Sequence, residues 1–211
     1  MDEKELLDLM QTRASVRHYT DEGIERETLG KILEAGRWAP SAGNMQSWEF
    51  IVVDEKKLKE RLSRYAYNQE HVREAPVCIV VLGDMEKARR KFDDRGVNLY
   101  MIQETAAVMQ NMLLMAHELD LGSAWVGAFD EDSVRDLFDI PEKLRPMAII
   151  TLGHPKERPE PSNKYRVTDV TYMNRYGKRI HAIYDKIVWH GARTYFEKAK
   201  EALKEKMKDK D

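Results

Sequence analysis

The chain has a single cysteine among its 211 residues, and this scarcity excludes several kinds of site. One thiol cannot form an intramolecular disulfide, a clustered-thiolate metal site or an iron–sulfur cluster. Cys78 lies within the apolar run Val77–Leu82, which predicts a buried and unreactive thiol. The six histidines show no His-x-x-x-His spacing, so we predict no metal site.

Long apolar runs and a strong net charge are missing as well. No stretch approaches the roughly 20 apolar residues that cross a bilayer, and no apolar signal core follows Met1–Lys4. We therefore expect a cytoplasmic protein with no membrane partner. The formal net charge of −2 offers no general attraction for nucleic acid. Without a Walker loop or a strand–Gly-x-Gly-x-x-Gly–helix unit, a Rossmann nucleotide site is not expected.

The apolar pattern predicts one α+β domain, because helices and strands alternate irregularly with long crossovers. The charged segment Met85–Arg95 fits an exposed helix or a mobile loop equally well. Predicted helices include Leu6–Met10, a segment following Asp21–Thr28, Lys56–Tyr67 and Glu131–Phe138 with Asp130 as its cap; predicted strands are Phe50–Val53, Val77–Leu82, Ser123–Phe129 and Met147–Leu152.

The longest periodic segment, Asn98–Leu121, is apolar on far more than one face. This pattern is typical of a helix buried on most sides, within a core or across a subunit interface. Gly122 follows at a position suited to a left-handed helix cap.

The C-terminal part lacks the pattern of a second domain. Three prolines in Gly153–Pro161 predict a connector, and Tyr165–Ile187 is too short and irregular for its own core. We expect that segment, including the strand-like run Val167–Tyr172, to wrap against a folded unit. The Lys/Glu-rich segment Phe196–Asp211 is typical of a charged helix.

Two polar clusters suggest a bound anion and a bound ring. Arg13, Ser15 and Arg17 share one face of an extended stretch, and a guanidinium fork with a hydroxyl suits a phosphate. The alternative is a solvated basic turn at the end of the first helix. The turn Pro40–Gln46 offers amide groups that match the mixed polar edge of a pyrimidine-like ring, or its polar groups satisfy their own backbone.

Two further segments could also contact a ligand. At Gly122–Asp130 a strand ends and a helix begins, so backbone N–H groups can point at a ligand, although an ordinary turn explains the pattern too. Lys164 and Arg166 alternate after a strand exit, either as anion ligands or as part of a solvated charged face.

The order of these clusters is more specific than any one of them. Arg-x-Ser-x-Arg is followed by Ala-Pro-Ser-x-x-Asn-x-Gln-x-Trp, Gln-x-His-Val-x-x-Ala-Pro, Leu-Gly-Ser-x-Trp-x-Gly-x-Phe, and Leu-Gly-x-Pro with a basic pair. This succession resembles a compact member of the nitroreductase family of FMN oxidoreductases from about Leu6 to Gly177. Ser47 departs from the pattern, since a proline often precedes the tryptophan.

The resemblance implies an FMN site, whose residues are assigned by matching motif positions. It implies that the phosphate is held by Arg13, Ser15, Lys164 and Arg166, the pyrimidine side of the ring by Arg17, and its polar edge by Asn68 or Gln69. It also implies that the backbone of Val126, Gly127 and Ala128 faces flavin N5, and that the partner subunit supplies Pro40, Ser41, Asn44 and Gln46.

The resemblance also implies an architecture. We expect a three-layer fold with a mostly antiparallel central sheet between helices. Two copies would form an intertwined homodimer with FMN at the interface and an exchanged C-terminal segment. Residues 1–177 would form the FMN-binding domain, and residues 178–211 an extension of that domain ending in a charged helix.

The implied activity is a ping-pong reaction in which NADH or NADPH reduces FMN and a small-molecule acceptor reoxidises it. Nitroaromatics, quinones, flavins and related compounds are the expected acceptors. No side chain needs to act as an acid or a base, because the flavin carries the chemistry. The alternative is a flavin-binding protein with a structural or redox-reporting role and little turnover.

Overall fold

The structure of the chain, a computed structural model, describes residues 2–180. The helix predicted at Phe196–Asp211 lies outside these residues. The chain divides into two compact units. One comprises residues 12–160, and the other comprises, of the described residues, 2–11 and 161–180.

The larger unit contains a four-stranded antiparallel sheet in the order β1-β2-β4-β3. All four strands were predicted, and their ends shift by up to three residues. The strands are β1 (Trp48–Val53), β2 (Val77–Asp84), β3 (Gly122–Val126) and β4 (Leu144–Gly153).

Helices surround this sheet and also occur in the smaller unit. None within residues 2–180 is long and apolar enough to cross a membrane. They are α1 (Glu3–Thr12), α2 (Arg26–Arg37), α3 (Lys56–Tyr65), α4 (Glu70–Glu74), α5 (Met85–Arg95), α6 (Met101–Glu118), α7 (Glu131–Leu137) and α8 (Val167–Val170), with short turns of 3₁₀ type at Ala42–Asn44 and of π type at Gly96–Tyr100.

Both faces of the sheet are covered, which makes the larger unit a three-layer α+β structure. Along β2, the side chains of residues 78, 80 and 82 join a core that includes α3, α4 and α7. Those of residues 77, 79 and 81 join a second core that includes α2 and α6. Because successive side chains of a strand point to opposite faces, a strand covered on both faces is apolar throughout.

Cys78 is buried in the first of these cores, as predicted. Its thiol donates a hydrogen bond to the carbonyl of Val72 at 3.3 Å. Burial raises the pKa of the thiol to about 12, so the thiolate is disfavoured at neutral pH.

The predicted central helix is confirmed as α6, but the interpretation of its end was wrong. The residue with left-handed backbone after α6 is Asp120, with a φ of 60°. Gly122 is the first residue of β3, where a Cβ atom would lie 2.7 Å from Cγ1 of Val16. This glycine is required by close packing between two segments, not by helix capping.

The segment Met85–Arg95, which the sequence left open between helix and loop, forms α5. Asp84 caps the helix by accepting a hydrogen bond from the backbone N–H of Lys87 at 2.8 Å. The helical backbone is interrupted at Phe92 and Asp93, where φ at Asp93 is 49°.

In the smaller unit, the prediction of a strand-like run at Val167–Tyr172 was wrong. Residues Val167–Val170 form the single helical turn α8. The backbone N–H of Asp169 donates to the carbonyl of Arg166, and the two side chains form a bidentate ion pair at 2.9 and 3.0 Å. These local bonds outweigh the β preference of the valine and threonine side chains.

Candidate functional site

The arginine stretch, Arg13–Tyr19, is an extended segment held beside the end of β3. The backbone N–H of Val16 donates to the carbonyl of Ser123 at 2.9 Å, and Ser15 forms an isolated parallel bridge with Ser123. Tyr19 bridges to Pro155. This pairing fixes the position of the segment relative to the sheet.

Two buried side chains hold the stretch while the arginines stay accessible. Val16 and Tyr19 are 4% and 2% exposed. The hydroxyl of Tyr19 donates to the carbonyl of Val16 at 2.6 Å and lies 2.7 Å from the hydroxyl of Thr151. Arg17, between the two buried residues, is exposed, and Arg13 and Ser15 are half-buried.

The guanidinium groups of Arg13 and Arg17 have no hydrogen bond and no ion pair with any residue from 2 to 180. Two unpaired guanidinium groups on one rigid stretch therefore offer fixed positive charge to an anionic ligand.

Arg13 lines an open cleft within the larger unit. Nε2 of His117 lies 3.0 Å from the hydroxyl of Thr12, and its Nδ1 lies 3.2 Å from a guanidinium nitrogen of Arg158. Burial, and then the charges of Arg158 and Arg13, lower the pKa of His117. The guanidinium of Arg158 is itself paired with the carboxylate of Asp120 at 3.2 Å, so Arg13 is the cation of this cleft that has no ion-pair partner within residues 2–180.

Arg17 lies near a second histidine. His71, on α4, is buried, and its pKa is lowered by burial and then by the charge of Arg17. The neighbouring Gln69 donates from Nε2 to the carbonyl of Ala128 at 3.0 Å. The structure thus joins the loop before α4 to the loop after β3, and brings together two segments that the sequence placed in one site.

The backbone after β3 is accessible. Gly127 and Ala128 are exposed, whereas Val126 is buried in the core. The N–H groups of Gly127 and Ala128 form no hydrogen bond with the residues that the structure describes. They are donors available to a ligand.

The turn Pro40–Gln46 has an unusual backbone. Gly43, Asn44 and Gln46 all have left-handed φ angles, of 53°, 57° and 54°. The hydroxyl of Ser41 accepts from the backbone N–H of Gln46 at 3.1 Å, and Nε2 of Gln46 donates to Oδ1 of Asn44 at 2.9 Å. Pro40 and Asn44 are exposed. Part of the alternative interpretation therefore holds, because these polar groups do satisfy one another.

Lys164 and Arg166 belong to the smaller unit. Arg166 is paired with Asp169, as described above, and Lys164 is exposed. Asn68, in the larger unit, is exposed and has a left-handed φ of 59°.

Comparison with known proteins decides the family. The model of the Nitroreductase family matches residues 10–69 and 63–154, which include the arginine stretch, the turn and the loop after β3. The chain belongs to the nitroreductase family. Membership of this family identifies the chain as an oxidoreductase. It also confirms the resemblance from which the site residues were assigned.

Relatives in this family agree with that placement. A protein of Methanothermobacter thermautotrophicus named NADH dehydrogenase/NAD(P)H nitroreductase is 35% identical over 159 residues, covering 74% of this chain and 80% of its own. The FMN reductase (NAD(P)H) of Bacillus subtilis is 27% identical over 167 residues, covering 73% of this chain and 67% of its own.

A solved structure shows that the nitroreductase fold is shared. The crystal structure of an NADH oxidase from Clostridium acetobutylicum superposes with a TM-score of 0.72 at 31% sequence identity. The match covers 80% of this chain and all of the other.

Sequence reasoning missed one residue beside the candidate site. Glu104 on α6 is 3% exposed, and its Oε1 accepts a hydrogen bond from the backbone N–H of Ser47 at 2.6 Å. The signal was present, because Glu104 lies three residues after Met101 and four before Val108, which places it on the buried face of the helix.

Proposed function

We propose that the chain is an FMN-dependent oxidoreductase that uses NADH or NADPH to reduce nitroaromatic, quinone, flavin or related acceptors in a ping-pong reaction. The observation that supports this best is that the guanidinium groups of Arg13 and Arg17, which have no hydrogen bond or ion pair within residues 2–180, lie on one fixed stretch of a chain of the nitroreductase family. FMN, when bound, supplies the capacity to accept and pass on a hydride.

The residues of the chain fit the phosphate end of FMN. The guanidinium of Arg13 and the hydroxyl of Ser15 lie on the stretch fixed by Ser123. We propose that they bind the phosphate together with Lys164 and Arg166. The guanidinium of Arg166 already donates to the carboxylate of Asp169. The phosphate would therefore have to displace this carboxylate or share the guanidinium group with it, since both are acceptors.

The residues also fit the ring. Arg17 would lie at the pyrimidine side, where its charge favours the reduced, more negative ring. The N–H groups of Gly127 and Ala128, which form no hydrogen bond within the described part of the chain, would face N5 together with the backbone of Val126. Gln69 or Asn68 would contact the polar edge, and the bond from Gln69 to Ala128 keeps that loop in place.

We propose a homodimer in which a second copy supplies Pro40, Ser41, Asn44 and Gln46 to each FMN site and exchanges its C-terminal segment. On α6, Ile102 is 41% exposed, although most apolar side chains of the helix are buried or half-buried. A second copy would cover this side chain. Residues 1–177 would form the FMN-binding domain, residues 178–211 an extension of it, and the enzyme would act in the cytoplasm.

The visible absorption spectrum of the purified protein tests this function. We expect a yellow protein whose released cofactor has the mass of FMN and whose absorption bleaches when NADH or NADPH is added without oxygen. Admission of a quinone should restore the colour. A yellow protein that neither reductant bleaches would support the flavin-binding alternative, and a protein that takes up no added FMN would contradict both.

The substitution Arg17→Ala tests the proposed role of this side chain. We expect the midpoint potential of the bound flavin to fall by about 30 mV, which corresponds to about 1.4 kcal/mol for a two-electron couple. The rate of reduction by NAD(P)H should fall as well. Spectroelectrochemistry measures the potential, and stopped-flow absorption measures the rate. The variant Arg17→Lys keeps the positive charge, so its midpoint potential should stay close to that of the parent chain. An unchanged potential and rate would remove Arg17 from this role.

A further inference from the structure

Glu104 is an ionisable side chain enclosed by the core. It is 3% exposed, and its Oε2 atom is buried with no hydrogen-bond partner among residues 2–180. Burying an incompletely paired carboxyl group costs free energy. A leucine would fill similar space without this cost, so the contribution of Glu104 lies in what its other oxygen binds.

That other oxygen holds Ser47, the residue at the end of the turn Pro40–Gln46. Oε1 accepts hydrogen bonds from both the backbone N–H and the hydroxyl of Ser47, which is fully buried. The carbonyl of Ser47 accepts from the backbone N–H of Asp84 at 2.7 Å. The residue that joins the turn to β1 is therefore fixed through its N–H, its carbonyl and its side chain.

The rest of the turn is held by other groups. The side chain of Met45 is 4% exposed and packs in a third apolar cluster with Ala88 and Met101. The ammonium group of Lys87 donates to the carbonyl of Gln46 at 3.0 Å, and that of Lys91 donates to the carbonyl of Gly43. These contacts act on the middle of the turn, whereas Glu104 acts on its end.

The turn needs such support because its backbone is strained. Asn44 and Gln46 have left-handed φ angles, which cost about 1 kcal/mol or more for a residue with a side chain. Strain of this kind persists only where the surroundings determine the conformation. Loss of the bond at Ser47 would let the strained residues relax toward ordinary backbone.

We propose that Glu104 is a positioning residue for cofactor binding, which fixes the turn so that Ser41, Asn44 and Gln46 keep the conformation that contacts FMN. This inference rests on the proposed function. Glu104 does not itself contact the cofactor, and it acts through Ser47.

Three variants test the proposal. Glu104→Leu removes the acceptor and keeps the volume, and Glu104→Gln keeps an acceptor oxygen. Thr105→Val is the matched control, since Thr105 is the next residue of α6, is fully buried, and donates to the carbonyls of Met101 and Ile102 without bonding to the turn. The readouts are the FMN dissociation constant from fluorescence quenching, the visible circular dichroism of bound FMN, and the apoprotein melting temperature.

We expect Glu104→Leu to weaken FMN binding about tenfold, equivalent to about 1.4 kcal/mol, and to change the visible circular dichroism of the flavin. Glu104→Gln should bind within about threefold of the parent chain. Thr105→Val should lower the melting temperature and leave FMN affinity and dichroism unchanged. If Glu104→Leu and Thr105→Val alter affinity equally, or if Glu104→Leu lowers only the melting temperature, the proposal is wrong.

Ser47→Ala provides a milder variant should Glu104→Leu fail to fold. It removes one of the two hydrogen bonds and leaves the carboxyl group in place, so we expect FMN affinity to fall about threefold. An unchanged affinity would count against the proposal. A parent chain that binds no FMN would overturn the proposed function together with this inference. A parent chain that binds FMN, with variants that all bind equally well, would overturn this inference alone.

Discussion

Replacing Arg13 with alanine should weaken FMN binding by about tenfold to a hundredfold and leave riboflavin binding unchanged. A hydrogen bond to a charged group contributes about 1.5–3 kcal/mol, and each 1.4 kcal/mol is a factor of ten. Because the guanidinium of Arg13 has no other hydrogen bond or ion pair within residues 2–180, its loss leaves no partner unpaired in the apoprotein. Fluorescence titration of the apoprotein with each flavin measures both constants.

The comparison of the two flavins isolates the phosphate. Arg61→Ala is the matched control, because this exposed arginine on α3 changes the net charge by the same amount. It should leave both constants unchanged at moderate salt, where distant surface charges are screened. Equal weakening of FMN and riboflavin by Arg13→Ala would show that the side chain supports the fold of the site and does not bind the phosphate.

Replacing Gly122 with alanine should lower the free energy of unfolding by about 1–3 kcal/mol, the usual range for an overpacked core. The added Cβ would lie 2.7 Å from Cγ1 and 2.8 Å from Cβ of Val16. Val16 is the buried residue between Ser15 and Arg17, so relief of the clash must move the arginine stretch away from β3. Urea unfolding followed by far-UV circular dichroism measures the change.

Gly30→Ala is the control for this substitution. Gly30 lies inside α2, is exposed, and has no atom within 4 Å of the position of an added Cβ. Alanine there should raise the free energy of unfolding by about 0.5–1 kcal/mol, because it restricts the unfolded chain and favours the helix. A similar loss at both positions would mean that contact with Val16 does not explain Gly122.

The strands were predictable because burial on both faces leaves a direct mark on the sequence. The run Val77–Leu82 is apolar throughout, and it forms the first six residues of β2. Gly122 shows the limit of this approach. A glycine after a helix is typical of a cap, and the true reason for it, the side chain of Val16, lies more than 100 residues away in the chain and contacts it only in the folded state.

The sequence predicted which segments belong to the candidate site, but not the contacts that those segments make with one another. The order of motifs identified the arginine stretch, the turn and the loop after β3. Two of their contacts, between Gln69 and Ala128 and between Glu104 and Ser47, depend on how helices pack on the sheet. A single charged residue within an apolar helix gives a weak signal, because its partner is a backbone N–H group that any residue carries.

The position of β4 in the sheet determines when the arginine stretch can be placed during folding. Within the described chain, β4 is the strand that joins β3 to the rest of the sheet, and it is the last of the four to be synthesised. The hydroxyl of Tyr19 meets that of Thr151 across 132 residues of chain, and Thr20 bonds to the carbonyl of His154. Closing so long a loop is slow relative to local helix formation. Arg13 and Arg17 therefore precede by more than 100 residues the part of the chain that holds Tyr19 and Thr20, so a nascent chain that ends before β4 lacks these two anchors of the arginine stretch.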